Sequence, residues 1–151
     1  MDFADFLDDL RQARGYHGQI VHVREVPERD ARFADPDQPL SQPIQQALGA
    51  RGIERLYTHQ AAASDLARGG GDLLVVTGTA SGKSLCYQIP AVEMLLRDPE
   101  ATALLLFPTK ALCQDQFQSM RRLLDESGLD RVFAGVYDGD TPSNLRRQLR
   151  D

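Results

Sequence analysis

Lysine is scarce in this chain. Lys83 and Lys110 are the only two, and arginine supplies every other basic position. A compact ammonium suits a phosphate as a point charge, so both lysines stand out as candidates for that work. Cysteine is scarcer than a disulfide framework or a zinc site needs. Cys86 and Cys113 stand alone, with no metal or redox spacing, and read as reduced, partly buried thiols of a cytoplasmic protein. No apolar run approaches the ~18 residues of a membrane span, and no basic-then-apolar N-terminus reads as a secretion signal. His17, His22 and His59 show no metal-ligand spacing, and no internal repeat of useful length occurs. The net charge of −5 excludes an overall basic signature, so a nucleic-acid partner would need a local basic face. The charge is uneven: residues 1–40 carry nine acids against five arginines, whereas the remainder is near balance, with thirteen acids and twelve bases.

What is present is enough apolar material for one core, 42% of the residues, and one loop of high information content. The loop is Thr77-Gly78-Thr79-Ala80-Ser81-Gly82-Lys83-Ser84. It follows the apolar run Leu73-Leu74-Val75-Val76 and precedes a helical pattern. Strand, small-residue loop and helix in that order build a phosphate cradle, because backbone N–H groups and the helix N-terminus point at the anion. Lys83 is placed to reach the β- and γ-phosphates, and the Ser84 hydroxyl to hold Mg²⁺. The strict pattern wants glycine where Thr77 stands; Gly78 comes one residue late, so the loop is a variant. The bland alternative is a Gly/Ser turn with Lys83 as a surface lysine.

Around the loop, the pattern predicts a short amphipathic packing helix over residues 2–14, with Phe3, Phe6, Leu7 and Leu10 on one stripe, and a short strand at 20–23. Residues 27–43, with four prolines among charges, read as an extended linker. They are followed by a helix over 43–50. Thr58 is expected to cap a helix over 59–67, which Gly69-Gly70-Gly71 stops. From residue 72 strands and helices alternate: strands at 73–76, 103–107 and 132–137, helices at 83–96, 110–124 and 143–150. Continuous apolar strands alternating with helices predict an α/β fold, a parallel sheet with helices on both faces. Ligands of such sheets gather at the carboxyl ends of the strands. The Thr77 loop, Pro108-Thr109-Lys110 and Asp138-Gly139-Asp140-Thr141 all lie there and are expected to share one edge.

Several stretches together resemble superfamily 2 DEAD/DEAH-box helicases, in particular the mitomycin-repair and RecQ4-like group with a C-terminal zinc-binding region. Arg55-Leu56-Tyr57-Thr58-His59-Gln60 is similar to the adenine-reading segment of these enzymes. Thr77 to Ser84 is similar to motif I, continued by Leu85-Cys86-Tyr87-Gln88-Ile89-Pro90. Phe107-Pro108-Thr109-Lys110-Ala111-Leu112-Cys113-Gln114-Asp115-Gln116 is similar to motif Ia. Val136-Tyr137-Asp138-Gly139-Asp140-Thr141-Pro142 resembles a strand-end turn of the group. His22-Val23-Arg24-Glu25-Val26-Pro27, through Ala31-Arg32-Phe33, resembles its leader. The similarity covers nearly the whole chain.

The resemblance implies a leader over residues 1–43 and the N-terminal part of a RecA-like ATP-binding domain over 44–151. It implies ATP and Mg²⁺ as cofactors, and as partners a nucleic acid, DNA before RNA, and the remainder of the protein's own motor domains. Movement 3′ to 5′ and a role in repair are implied with it. Gln60 would read the adenine edge, and Tyr57 or a neighbour would stack on it. The loop Thr77, Gly78, Thr79, Ala80, Ser81 and Gly82 would cradle phosphates, with Lys83 and Ser84 as the catalytic pair and Ser84 as the Mg²⁺ ligand. Thr109, Lys110 and Gln114, with Asp140 and Thr141, would touch the backbone of a single strand, which carries position and not sequence.

Departures refine the picture. A standard DEAD-box loop has alanine at the Thr77 position and glycine at the Ala80 position, and arginine–glutamate where Lys110-Ala111 stand. These differences point to the DNA-acting group. Two other readings stay open on the residues alone: a different P-loop NTPase or small-molecule kinase, and a nucleotide-binding remnant without catalysis. Arg121, Arg122, Arg146, Arg147 and Arg150 read as solvated helix faces.

Overall fold

The computed structural model describes residues 2–27, 30–78 and 81–150. The chain divides into two units, Met1–Asp30 and Ala31–Asp151. The first holds helix α1 (Phe3–Gln12), opened by the backbone of Asp2 and ended where Ala13 turns extended. The expected stripe forms, and the Phe3 and Phe6 rings meet with centroids 6.3 Å apart. Yet Phe3, Phe6 and Leu10 are exposed, so α1 does not pack as a buried helix. Residues 20–23 take no strand pairing.

In the second unit the elements follow in the order β1 (Phe33–Ala34), α2 (Gln42–Ala50), β2 (Leu56–Tyr57), α3 (Thr58–Arg68), α4 (Leu85–Arg97), α5 (Lys110–Glu126) and α6 (Ser143–Arg150). Ser41 holds the N-cap position of α2, with Pro43 in the first turn, where a missing N–H costs nothing. Helix α3 starts one residue earlier than the sequence suggests. Tyr57, not Thr58, holds the cap position, because the Gln60 side chain reaches back to accept from the Tyr57 N–H at 2.9 Å. That reach is the glutamine half of a capping box. Helix α4 carries Pro90 in its interior and continues through it. Helix α5 begins at Lys110, with the Thr109 hydroxyl accepting from the Leu112 N–H at 3.3 Å.

The core lies between α2, α3, α4 and α5, with Ile44, Ala61, Ile89, Val92, Leu123 and Leu124 at its centre. An ion pair stitches it from outside. Arg68 at the end of α3 donates through Nε (2.8 Å) and Nη2 (2.6 Å) to the two oxygens of Glu93, a buried residue of α4. The same guanidinium donates to the carbonyls of Gln38 and Pro39, so residues 31–43 pack within the second unit. The neighbouring Glu93 carboxylate holds the Arg68 pKa above its ordinary value.

The sheet is where sequence and structure differ. Among the described residues the only ladder is the antiparallel pair β1–β2, Phe33 opposite Tyr57 and Ala34 opposite Leu56. Residues 73–76, 103–107 and 132–137 form no parallel ladder. They do show a strand's period. Leu105, Val132 and Ala134 pack on the core, while Leu104, Leu106 and Phe133 between them are exposed. Parallel sheets hold together when both faces are covered. Here the helices cover one face, and the other leaves Leu74, Val76, Leu104 and Leu106 more than four-fifths exposed.

Candidate functional site

Gln60 is the pivot of the site. It is buried at 2% exposure, and both ends of its amide are used. Its Oε1 accepts from the Tyr57 N–H, and its Nε2 donates to the Gly82 carbonyl at 2.9 Å. An N–H can only donate and a carbonyl only accept, so the amide has one orientation. The segment similar to an adenine reader is thus tied directly to the glycine of the phosphate-loop pattern. His59 adds a second tie: its Nε2 meets the Ser81 carbonyl at 2.9 Å and must carry the proton there. Gly82 sits at φ +73°, a left-handed conformation, and a Cβ on it would stand 2.5 Å from Gln60 Nε2. Only glycine satisfies both constraints.

Beside this junction is a recess of about 450 Å³, lined by Phe33, Ile53, Arg55, Tyr57, Gln60, Gly82 and Leu85 among others. The Phe33 and Tyr57 rings stack with centroids 5.3 Å apart, as their cross-strand register requires, and the Arg55 guanidinium lies 5.1 Å over Phe33. Phe33 and Arg55 are functional candidates that motif spacing alone missed. The signal for Phe33 lay in the leader, but only the antiparallel pairing brings it to Tyr57.

In the loop itself, Lys83 folds back on its own backbone. Its Nζ donates to the carbonyls of Thr77 and Gly78 and to Ser81 Oγ. The Thr77 and Ser81 hydroxyls bond each other at 2.6 Å. Thr79 and Ala80 lie outside the described residues. Ser84 precedes α4, and its hydroxyl donates to Gln116 Oε1 of α5 at 2.9 Å. Burial raises the pKa of both Cys86 and Tyr87, just beyond it.

The structure also brings the other two expected segments together. Lys110 Nζ pairs with Asp140 Oδ2. Both are largely exposed, and that bond raises the Lys110 pKa. The Asp140 N–H donates to Asp138 Oδ1 at 2.8 Å, and this bond above all lowers the Asp138 pKa. Thr141 serves the turn itself: its hydroxyl accepts from the Asp138 N–H and donates to the Val136 carbonyl. Thr109 likewise is committed as the α5 cap, and Gln114 stands exposed on that helix. Two arginines expected on solvated faces hold loops instead. Arg146 donates to the carbonyls of Thr141, Asp138 and Gly139, and Arg121 to those of Val132, Leu129 and Asp130. A guanidinium offers five donors, enough to gather several loop carbonyls at once.

Residues 57–151 match the DEAD/DEAH box helicase family. The chain is similar to the uncharacterized ATP-dependent helicase YprA of Bacillus subtilis, with 40% identity over 87% of this chain and 17% of that protein. It is similar to the ATP-dependent helicase hrq1 of Schizosaccharomyces pombe, with 38% identity over 96% of this chain and 14% of that protein. A crystal structure of the DUF1998 helicase MrfA bound to DNA and AMPPNP superposes on it with a TM-score of 0.82 and 36% identity, covering 99% of this chain and 20% of that one. The chain therefore spans less than a quarter of the length of these relatives, and nearly all of it superposes on part of the MrfA helicase structure. On the family match and on identities above one third, the chain belongs to the DEAD/DEAH box helicases.

Proposed function

We propose that this chain supplies the nucleotide-binding half of the first RecA-like motor domain of an ATP-dependent DNA helicase. The observation that carries the reading is the Gln60 amide, which ties the adenine-reader segment to Gly82 immediately before Lys83 and Ser84. Phe33 and Tyr57 offer a stacked apolar wall for a base, and Arg55 a cation above it. A triphosphate would draw the Lys83 ammonium away from the loop carbonyls it now satisfies, because an anion is a stronger acceptor than a neutral carbonyl. Among the described residues, no group of three His, Cys, Asp or Glu side chains could hold a metal. A lone hydroxyl such as Ser84 fits a Mg²⁺ that brings phosphate oxygens and water as its other ligands. When bound, the nucleotide supplies the phosphoanhydride whose cleavage drives movement.

The strand would lie along Lys110, Thr109 and Gln114, with the 138–141 turn beside them. DNA is favoured because the MrfA structure, 36% identical, contains it. Residues 73–76, 103–107 and 132–137 would form the parallel sheet of the motor, with partner strands and a second covering layer from the remainder of the motor domains. Lys83→Ala in the full natural chain tests the reading. ATP turnover falls to background while the fold is kept; retained turnover would remove the phosphate-loop assignment.

A further inference from the structure

Gln116, already met as the acceptor of the Ser84 hydroxyl, has no role in the proposed function so far, yet it gathers a polar cluster beside the loop. Its Oε1 accepts from two hydroxyls, Ser84 Oγ at 2.9 Å and Tyr87 Oη. Its Nε2 donates to Asp115 Oδ2 at 2.9 Å. An ionised carboxylate only accepts, so Asp115 fixes which way the Gln116 amide faces. With the amide fixed, both hydroxyls must be donors. A hydroxyl has one proton and two lone pairs. With the Ser84 proton directed at Gln116, the Ser84 oxygen is left to accept through its lone pairs.

We propose that Gln116 is a positioning residue for the metal–nucleotide site: it orients the Ser84 hydroxyl so that its lone pairs are presented to Mg²⁺. This rests on the proposed reading of the loop as a Mg·ATP site. Groups that orient a metal ligand in this way are commonly worth about 10–100-fold in metal affinity. Gln116 also places the control on α5, the helix that opens with Thr109 and Lys110.

The test is binding, not turnover. A fluorescent ATP analogue is titrated into the full natural chain in excess EDTA and then at graded Mg²⁺. For Gln116→Leu we expect affinity in EDTA equal to that of the unsubstituted protein, and a Mg²⁺ midpoint raised about tenfold or more. Gln116→Glu keeps an acceptor for both hydroxyls, and its Mg²⁺ midpoint should stay within about threefold. An unchanged midpoint in Gln116→Leu overturns the proposal, as does a parallel loss of affinity in EDTA, which would mark a merely structural role. If Gln116→Leu fails to fold, Gln116→Asn, one methylene too short to reach Ser84, is expected to raise the midpoint in the same way; an unchanged midpoint there overturns it equally. Absence of Mg²⁺-dependent binding in the unsubstituted protein would remove the loop reading itself, and the proposal with it.

Discussion

At the Gln60 end of the second unit, polar side chains are buried and hydrogen-bonded, Gln60, Gln88 and Glu93 across elements and Ser64 within its own helix. At the Lys110 end they stand in water. Gln60, Ser64, Gln88 and Glu93 are all under 5% exposed, and each has a partner: Gly82, the Gln60 carbonyl, Ser119 and Arg68. Lys110 and Asp140 are more than half exposed and pair with each other. The difference is one of energetic weight. A buried polar group without its partner bears its full desolvation penalty, whereas an exposed ion pair contributes little to stability. Geometry at the first edge is therefore over-determined and at the second adjustable. On the proposed function, that suits a preformed nucleotide cradle on one side and, on the other, contacts that a passing strand would displace.

The sharpest way to break the contrast is Arg68→Ala. It leaves the buried Glu93 carboxylate with only the distant Arg97 guanidinium, Nη2 at 4.0 Å, and no hydrogen-bonded partner, which costs up to about 3–5 kcal/mol. Denaturant melts should show that loss; a change no larger than that of an exposed pair would mean the two edges are alike. Gly82→Ala comes next. A left-handed alanine costs about 1–2 kcal/mol, and the Cβ displaces Gln60 Nε2 besides. Nucleotide affinity should fall together with stability, and an alanine variant that binds ATP normally would contradict the Gln60–Gly82 tie. Lys110→Ala should behave in the opposite manner. Its melt is expected to match that of the unsubstituted protein, while DNA affinity drops and the slope against log salt shrinks by about one. An unaltered slope would take Lys110 out of the strand path. The smallest effect is a pH response of the 138–141 turn. The Asp138 pKa is held below its ordinary value, so the turn's stabilisation is present above the ordinary aspartate range of about pH 4 and lost as pH falls through the depressed value. Amide shifts of these residues should titrate with a midpoint below that range; one at or above it would show the Asp138–Asp140 bond to be absent.

Much of this was legible along the chain. Helices α2 to α6 appear close to their expected bounds, because an apolar face at 3.6-residue spacing with Pro, Thr and Gly at its ends is a local signal. The one misplaced cap, Thr58, follows from a side chain reaching backwards: Gln60 does the capping from inside the helix. The parallel sheet expected from the apolar segments 73–76, 103–107 and 132–137 forms no ladder among the described residues, since strand pairing depends on neighbours far away in sequence.

The sequence by itself determined the helical segments, the loop with its glycine before Lys83-Ser84, and the family, because each is written in short-range spacing of residue types. Only the tertiary structure decided that Gln60 holds Gly82, that Phe33 stacks on Tyr57, that Arg146 gathers the 138–141 turn and that Gln116 takes the Ser84 proton. These contacts join residues up to 32 positions apart. Hydrogen-bond direction and ring stacking depend on distances of a few tenths of an ångström, which packing sets and residue order does not.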